Sequence, residues 1–231
     1  FVTCIFDYDE ALLNKWIDVQ LPLIVYVTEK HFQNVSSVLQ QKGSSHIHLQ
    51  KMPSIQQTEW YSSDSPVMPS VRNVVKDTPE HLWNVHSKVF AVYNAVMHHN
   101  VFQSNYYMYL DFHCPELFHQ DSTWEYLREN FTNRHLFTAK HDNTIFLPGC
   151  WGETKEINES FFNNVNWRFC GSLMFGSTNA FIVFYQHYIQ FFQEFVKTYH
   201  ILSWEVNFWA WLEHKIPSWK PYWYSAGHDD N

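Results

Sequence analysis

The sequence lacks any run of ~18 apolar residues, the length a helix needs to cross a bilayer, so no transmembrane segment is predicted. It has no Lys/Arg-rich stretch, and its 15 basic residues are outnumbered by 23 acidic ones, for a net charge of -8. A phosphate backbone is bound largely through clustered cations, so no nucleic acid is expected as a partner. Cysteine is scarce and dispersed. Cys4, Cys114, Cys150 and Cys170 are far apart and form no C-x-x-C pair. That spacing argues against a zinc ribbon or a disulfide framework and fits reduced thiols in a cytoplasmic setting. Charged residues make up only 16% against 45% hydrophobic, a balance too apolar for a disordered chain. No internal repeat and no linker divides the chain. Three N-x-S/T sequons, at Asn34, Asn130 and Asn158, are what an Asn-, Ser- and Thr-rich chain produces by chance and do not establish secretion. The chain opens without Met, on a strand-like run, as expected of a domain taken from a longer protein.

What is abundant is aromatic. Phe, Trp and Tyr make up 19% of the 231 residues; most are expected to be packing mass in the core, while the surplus of flat Trp and Tyr rings also suits stacking against sugars or bases. The length suits one α/β domain. Phe1 to Phe6 reads as a buried strand, and Leu21 to Val27 as a second. Residues 11–19 between them carry helical spacing, the usual opening of an α/β sheet. Ile47 to Leu49 is a third strand candidate after a turn at Gly43. Residues 54–79 are Ser-, Pro- and Gln-rich and read as a long loop or short helices. A strong helix is predicted from Pro79 to His99. Thr78 caps it, Pro79 suits its first turn, and Leu82, Val85, Val89, Val92 and Val96 share one face. Tyr106 to Leu110 is a strand, with shorter candidates at 137–139 and 144–147. Phe169 to Phe175 is another, with Gly171 in its middle and Gly176 at its end. Long helices follow at 180–199 and 204–213, and a terminal strand at 222–224.

The sharpest chemical signal is Asp111 and His113 at the end of the Tyr106 to Leu110 strand. Ligands of open α/β sheets bind at carboxyl ends of strands. Residues two apart on an extended chain point the same way, so these two could hold Mn²⁺ or Mg²⁺ between them and a phosphate. The alternative is a turn aspartate beside a surface histidine. Lys88 is either a solvated helix charge or a cation reaching phosphates. Gly171 and Ser172 could let a ligand approach the backbone, or could belong to a bulged core strand. Glu205 follows Ser203, a good N-cap, at the second helical position. The helix dipole favours an acid there, and a rigid helix start is also where a general base could sit. His228, in the polar Gly227 to Asn231 tail, is either a further metal ligand closing over the site or part of a loose end.

Taken in order, several segments resemble the HtrL/YibB-like family of glycosyltransferases, related domains of which occur in large DNA viruses. They are the Phe1 to Asp7 opening, Ser87-Lys88 and the strand ending Tyr109-Leu110-Asp111-Phe112-His113. Arg168 to Gly176, Trp204-Glu205 and the Tyr222 to Asp230 end complete the set. The resemblance implies a GT-A-type fold, a mixed central sheet flanked by helices. A Rossmann-like nucleotide-sugar-binding half (about 1–115) merges there with an acceptor half (about 116–231). It implies transfer of a sugar from a nucleotide-diphosphate donor, UDP-linked, to a glycan or other hydroxyl acceptor. The divalent metal would sit on Asp111, His113 and His228, with His113 standing where such families carry a second Asp. The nucleotide would lie near Thr3, Phe6, Asp7, Tyr8 and Thr28, its diphosphate close to Lys88, and its sugar against Gly171 and Ser172. Glu205 would be the base of an inverting displacement. Two other classes compete: a non-catalytic nucleotide- or carbohydrate-binding module with a degenerate metal site, and a metal-dependent phosphodiesterase or nucleotidyltransferase.

Overall fold

The structure, a computed structural model, describes residues 1–53, 57–58, 61, 66–117, 121–131 and 143–227. Among the described residues, one sheet of seven strands runs through both halves of the chain. In chain order the strands are β1 (Val2–Ile5), β2 (Leu23–Val27), β3 (Ile47–Lys51), β4 (Tyr106–Leu110), β5 (Ile145–Gly149), β6 (Leu173–Ser177) and β7 (Tyr222–Ser225). Their spatial order is β3-β2-β1-β4-β6-β5-β7. All run parallel except β6, which lies antiparallel between β4 and β5. The helices are α1 (Glu10–Val19), α2 (Glu29–Lys42), α3 (Pro79–His98), α4 (Cys114–Leu117), α5 (Asp121–Phe131), α6 (Thr178–Tyr199) and α7 (Glu205–Lys215). The fold is therefore α/β, with a mixed sheet flanked by helices.

Strand alternation divides the core into two faces. Ile24, Tyr26, Tyr107 and Tyr109 pack into the layer that holds α3, α6 and α7. Leu23, Val25, Val27, Met108 and Leu110 pack into the layer that holds α1 and α2. With both faces covered, the central strands read as continuous apolar runs, which is why they were visible in the sequence. The first layer takes most of the aromatic surplus: Phe181, Phe184, Tyr188, Phe192, Phe195, Phe208 and Trp209 are all buried there. Among the described residues, no helix is long and apolar enough to cross a membrane.

Most predicted elements form, and of the two predicted caps the one at Thr78 is found. The Thr78 hydroxyl accepts from the His81 N–H at 3.1 Å, with Pro79 in the first turn of α3. Helix α2 was not predicted, because it buries only Val35 and Leu39 and its apolar stripe is thin. The strand predicted from Phe169 begins at Leu173, so Gly171 precedes it and Gly176 lies within it. The candidate at 137–139 falls outside the described residues. Ser203 does not cap α7. Trp204 holds the N-cap position without a side-chain bond, and the Ser203 hydroxyl donates to the Phe162 carbonyl at 3.2 Å. Glu205 is thus the first helical residue rather than the second.

Candidate functional site

Strand order reverses between β1 and β4, since β1 continues to β2 on one side and β4 starts the other half of the sheet. Ligands of open α/β sheets bind outside the carboxyl ends at such a switch point. The antiparallel β6 brings its amino end to that same edge, where the Asp111 N–H donates to the Ser172 carbonyl at 2.9 Å. A cavity of about 1170 Å³ opens here. Lys88, Asp111, Gly171, Ser172 and Glu205 line it, with Arg72, Lys76 and His81 from the segment entering α3 and the rings of Trp151, Phe161, Trp167 and Trp204.

At its base, Lys88 joins two carboxylates distant in sequence. Its ammonium lies 3.0 Å from Glu205 Oε1 and 3.1 Å from Asp111 Oδ1, and it donates to the Gly171 carbonyl at 3.2 Å. Tyr109 OH donates to Asp111 Oδ1 at 2.8 Å. The Lys88 and Glu205 side chains are only 6% and 7% exposed, whereas that of Asp111 is 32% exposed toward the cavity. Burial alone would neutralise Lys88, but Asp111 and Glu205 outweigh it and hold the ammonium above the usual lysine range. Burial likewise pushes Glu205 up, yet the Lys88 charge wins and leaves its carboxyl below the usual range. His86, on the same helix, is pushed down to about 4 by burial and donates through Nε2 to the Ser203 carbonyl at 2.9 Å.

Gly171 explains itself here. A methyl group on it would meet Glu205 Oε1 at 2.1 Å. The expected open backbone for a ligand is instead filled by the Glu205 carboxylate. Two buried polar links fix the surrounding walls. Arg168 grips Glu213 through two bonds of 2.8 Å each, tying the approach to β6 to the far end of α7. Asn207 donates to the carbonyls of Phe161 (3.1 Å) and Asn164 (2.7 Å) and accepts from the Asn166 N–H (2.8 Å), pinning the aromatic wall to α7. Polar residues inside strongly apolar helices were the available signal for Asn207 and Glu213. Arg72, Lys76 and His81 had none, because nothing in their local pattern marks a cavity wall.

Other predicted residues stand apart. His113 does not share Asp111's direction, because the chain leaves the sheet at Asp111 and turns at once into α4, with the Cys114 N–H bonded to the Asp111 carbonyl at 2.9 Å. Two-residue alternation holds only on extended backbone. His113 is exposed, and its Nδ1 lies 3.1 Å from Glu116 Oε2. His228 lies outside the described residues. Among the described residues, no three His, Cys, Asp or Glu side chains gather as metal ligands. Both Asp111 oxygens take a donor, one of them the Lys88 ammonium, whose positive charge competes with a divalent ion at this carboxylate. Phe6, Asp7, Tyr8 and Thr28 follow the carboxyl ends of β1 and β2 but do not line the cavity, and Thr3 is fully buried inside β1. Lys88 is at the site, yet its three N–H bonds are spent on protein acceptors, which leaves none for a phosphate. The thiols are less dispersed than their spacing implied. Cys150 and Cys170 are both free, with Sγ atoms 3.7 Å apart beside the cavity.

No known family model, characterised protein or solved structure matches the chain. The resemblance to the HtrL/YibB-like family therefore rests on the motifs alone, and the functional reading rests on this geometry.

Proposed function

We propose that the chain is a GT-A-type glycosyltransferase, moving a sugar from a nucleotide-diphosphate donor to a hydroxyl acceptor. The observation that carries the reading is the cavity at the switch point, floored by the Lys88, Asp111 and Glu205 network and walled by aromatic rings. Rings such as Trp151 and Trp167 offer flat faces to a base or a sugar. The acceptor oxygen attacks the anomeric carbon, and the bond from that carbon to the diphosphate oxygen breaks. The electron pair leaves with the nucleoside diphosphate, the acceptor proton passes to Glu205, and the configuration inverts. Lys88 keeps Glu205 ionised, as a base must be, and Asp111 anchors the lysine from the other side. The same charge weakens Glu205 as a base, so its catalytic contribution falls at the lower end of the ~10²–10⁴-fold range of positioned bases.

The test is nucleoside diphosphate release from a panel of nucleotide-sugars with hydroxyl acceptors, in wild type and Glu205→Gln. Turnover that drops ~100-fold in the variant, with donor binding retained, is expected. The saturation of Lys88 by both carboxylates favours a second reading, a non-catalytic binding module. Donor binding with no turnover under any acceptor would establish that one, and absence of donor binding would remove both.

A further inference from the structure

The cavity wall carries a second group of charges, apart from the Lys88 network. Arg72 and Lys76 stand on the segment leading into α3, and His81 lies in its first turn. His81, Val85 and Lys88 recur at helical spacing on the side of α3 that faces the cavity. Lys88 lies seven positions beyond His81, ~10 Å along the helix at 1.5 Å per residue. That leaves room for a sugar ring between the two groups of charges.

The acids of the cavity wall are engaged within the protein. Asp111 and Glu205 hold Lys88, and buried Asp77 accepts from the Asn73 N–H at 3.0 Å. The two cations are not matched in this way. Among the described residues, neither Arg72 nor Lys76 forms an ion pair. Arg72 Nη1 donates to the Pro69 carbonyl at 2.8 Å, while its Nε is shielded from solvent and makes no hydrogen bond. In a protein of net charge -8, two cations on one cavity wall without an ion pair among the described residues are a local reversal of sign. A guanidinium beside an ammonium on a cavity wall suits an oxyanion carrying several acceptors. The group of the donor that needs neutralising is its diphosphate. Lys88 has no bond to give it, and its charge beside Asp111 competes with a metal there.

We infer that Arg72 and Lys76, with His81 beside them, form an anion subsite that takes a diphosphate group. The ligand's identity as a nucleotide donor rests on the sugar-transfer reading; the subsite itself does not. In this arrangement the anomeric carbon, bonded to the diphosphate oxygen, turns its opposite face toward Glu205, with the acceptor oxygen between them.

The experiment is calorimetric titration of the whole chain with inorganic pyrophosphate and, separately, with UDP, each in Mn²⁺ and in EDTA. The proteins are wild type, Arg72→Gln, Lys76→Gln, Arg72→Lys and a Lys42→Gln control on the exposed end of α2. Lys76 is exposed, so its variant has no folding role to lose. Each Gln variant is expected to weaken both probes about tenfold, the typical effect of one charge-assisted bond. Arg72→Lys should recover part of the loss, and the control should match wild type. Tighter binding of UDP than of pyrophosphate marks a nucleotide as the natural source, and equal binding marks any diphosphate; the subsite stands either way. Wild-type affinity in both Gln variants, or no pyrophosphate binding by wild type, overturns the proposal. Pyrophosphate binding that depends on Arg72 and Lys76, without turnover of any nucleotide-sugar, keeps the subsite and removes the transferase reading.

Discussion

Replacing Lys88 by Met tests whether the network at the base of the cavity holds the fold together as well as the site. Met keeps much of the length and apolar volume but removes the charge and all three donated bonds. Glu205 is 7% exposed, so it would be left as a buried carboxylate without its counter-ion. Breaking such a pair from one side costs ~3–5 kcal/mol. Asp111, at 32% exposed, is partly solvated and adds less. For a domain of this size the loss lowers the melting temperature by roughly 10 °C. The pH profile should change sign as well. In wild type, Glu205 titrates below its unfolded value, so its contribution is complete above that value and fades as pH falls through the folded one. Lys88 titrates above its unfolded value, so its contribution is complete below that value and fades only as pH rises through the folded one. Without Lys88, burial is the largest effect left on Glu205, opposed only by His86 and a backbone hydrogen bond, and it raises the pKa, so the variant should lose stability as pH rises from 5 to 8. Adding Glu205→Gln removes the stranded charge and should restore part of the loss, a coupling of ~1–3 kcal/mol. Urea unfolding of the four proteins of this cycle, across that pH range, measures all of it. A Lys88→Met protein within ~0.5 kcal/mol of wild type, with an unchanged acid limb, would falsify the buried-pair account.

Gly171→Ala should displace the Glu205 carboxylate, lowering melting temperature and turnover together. Gly152→Ala, where an added methyl meets nothing within 4 Å, should change neither. Thermal melts and turnover of the two variants make the comparison. His113→Ala should leave UDP affinity in Mn²⁺ unchanged, because His113 is turned to Glu116 and away from the cavity; a clear loss by calorimetry would return it to the site.

Much of the fold was legible because its signals are local. Strands buried on both faces must be apolar throughout, so β1, β2 and β4 announced themselves. The apolar stripe of α3 and the Thr78-Pro79 start are written within a few residues of one another. Helix α2 was silent for the same local reason, having too little apolar surface to mark a face. Parts of the site were legible too: a carboxylate ending a hydrophobic strand and an acid opening a helix both break the pattern around them. Their relation was not. Lys88 and Glu205 are 117 residues apart, and they meet because α3 and α7 pack on the same side of the sheet while β6 runs back against β4. That packing turned a lysine read as a phosphate ligand into the counter-ion of two carboxylates. It filled the space beside Gly171 with Glu205. It also put the weakly patterned Arg72 and Lys76 on the cavity wall. Hydrophobic periodicity records which face of an element is buried, and it carries no information about which distant side chain will be waiting on the other side.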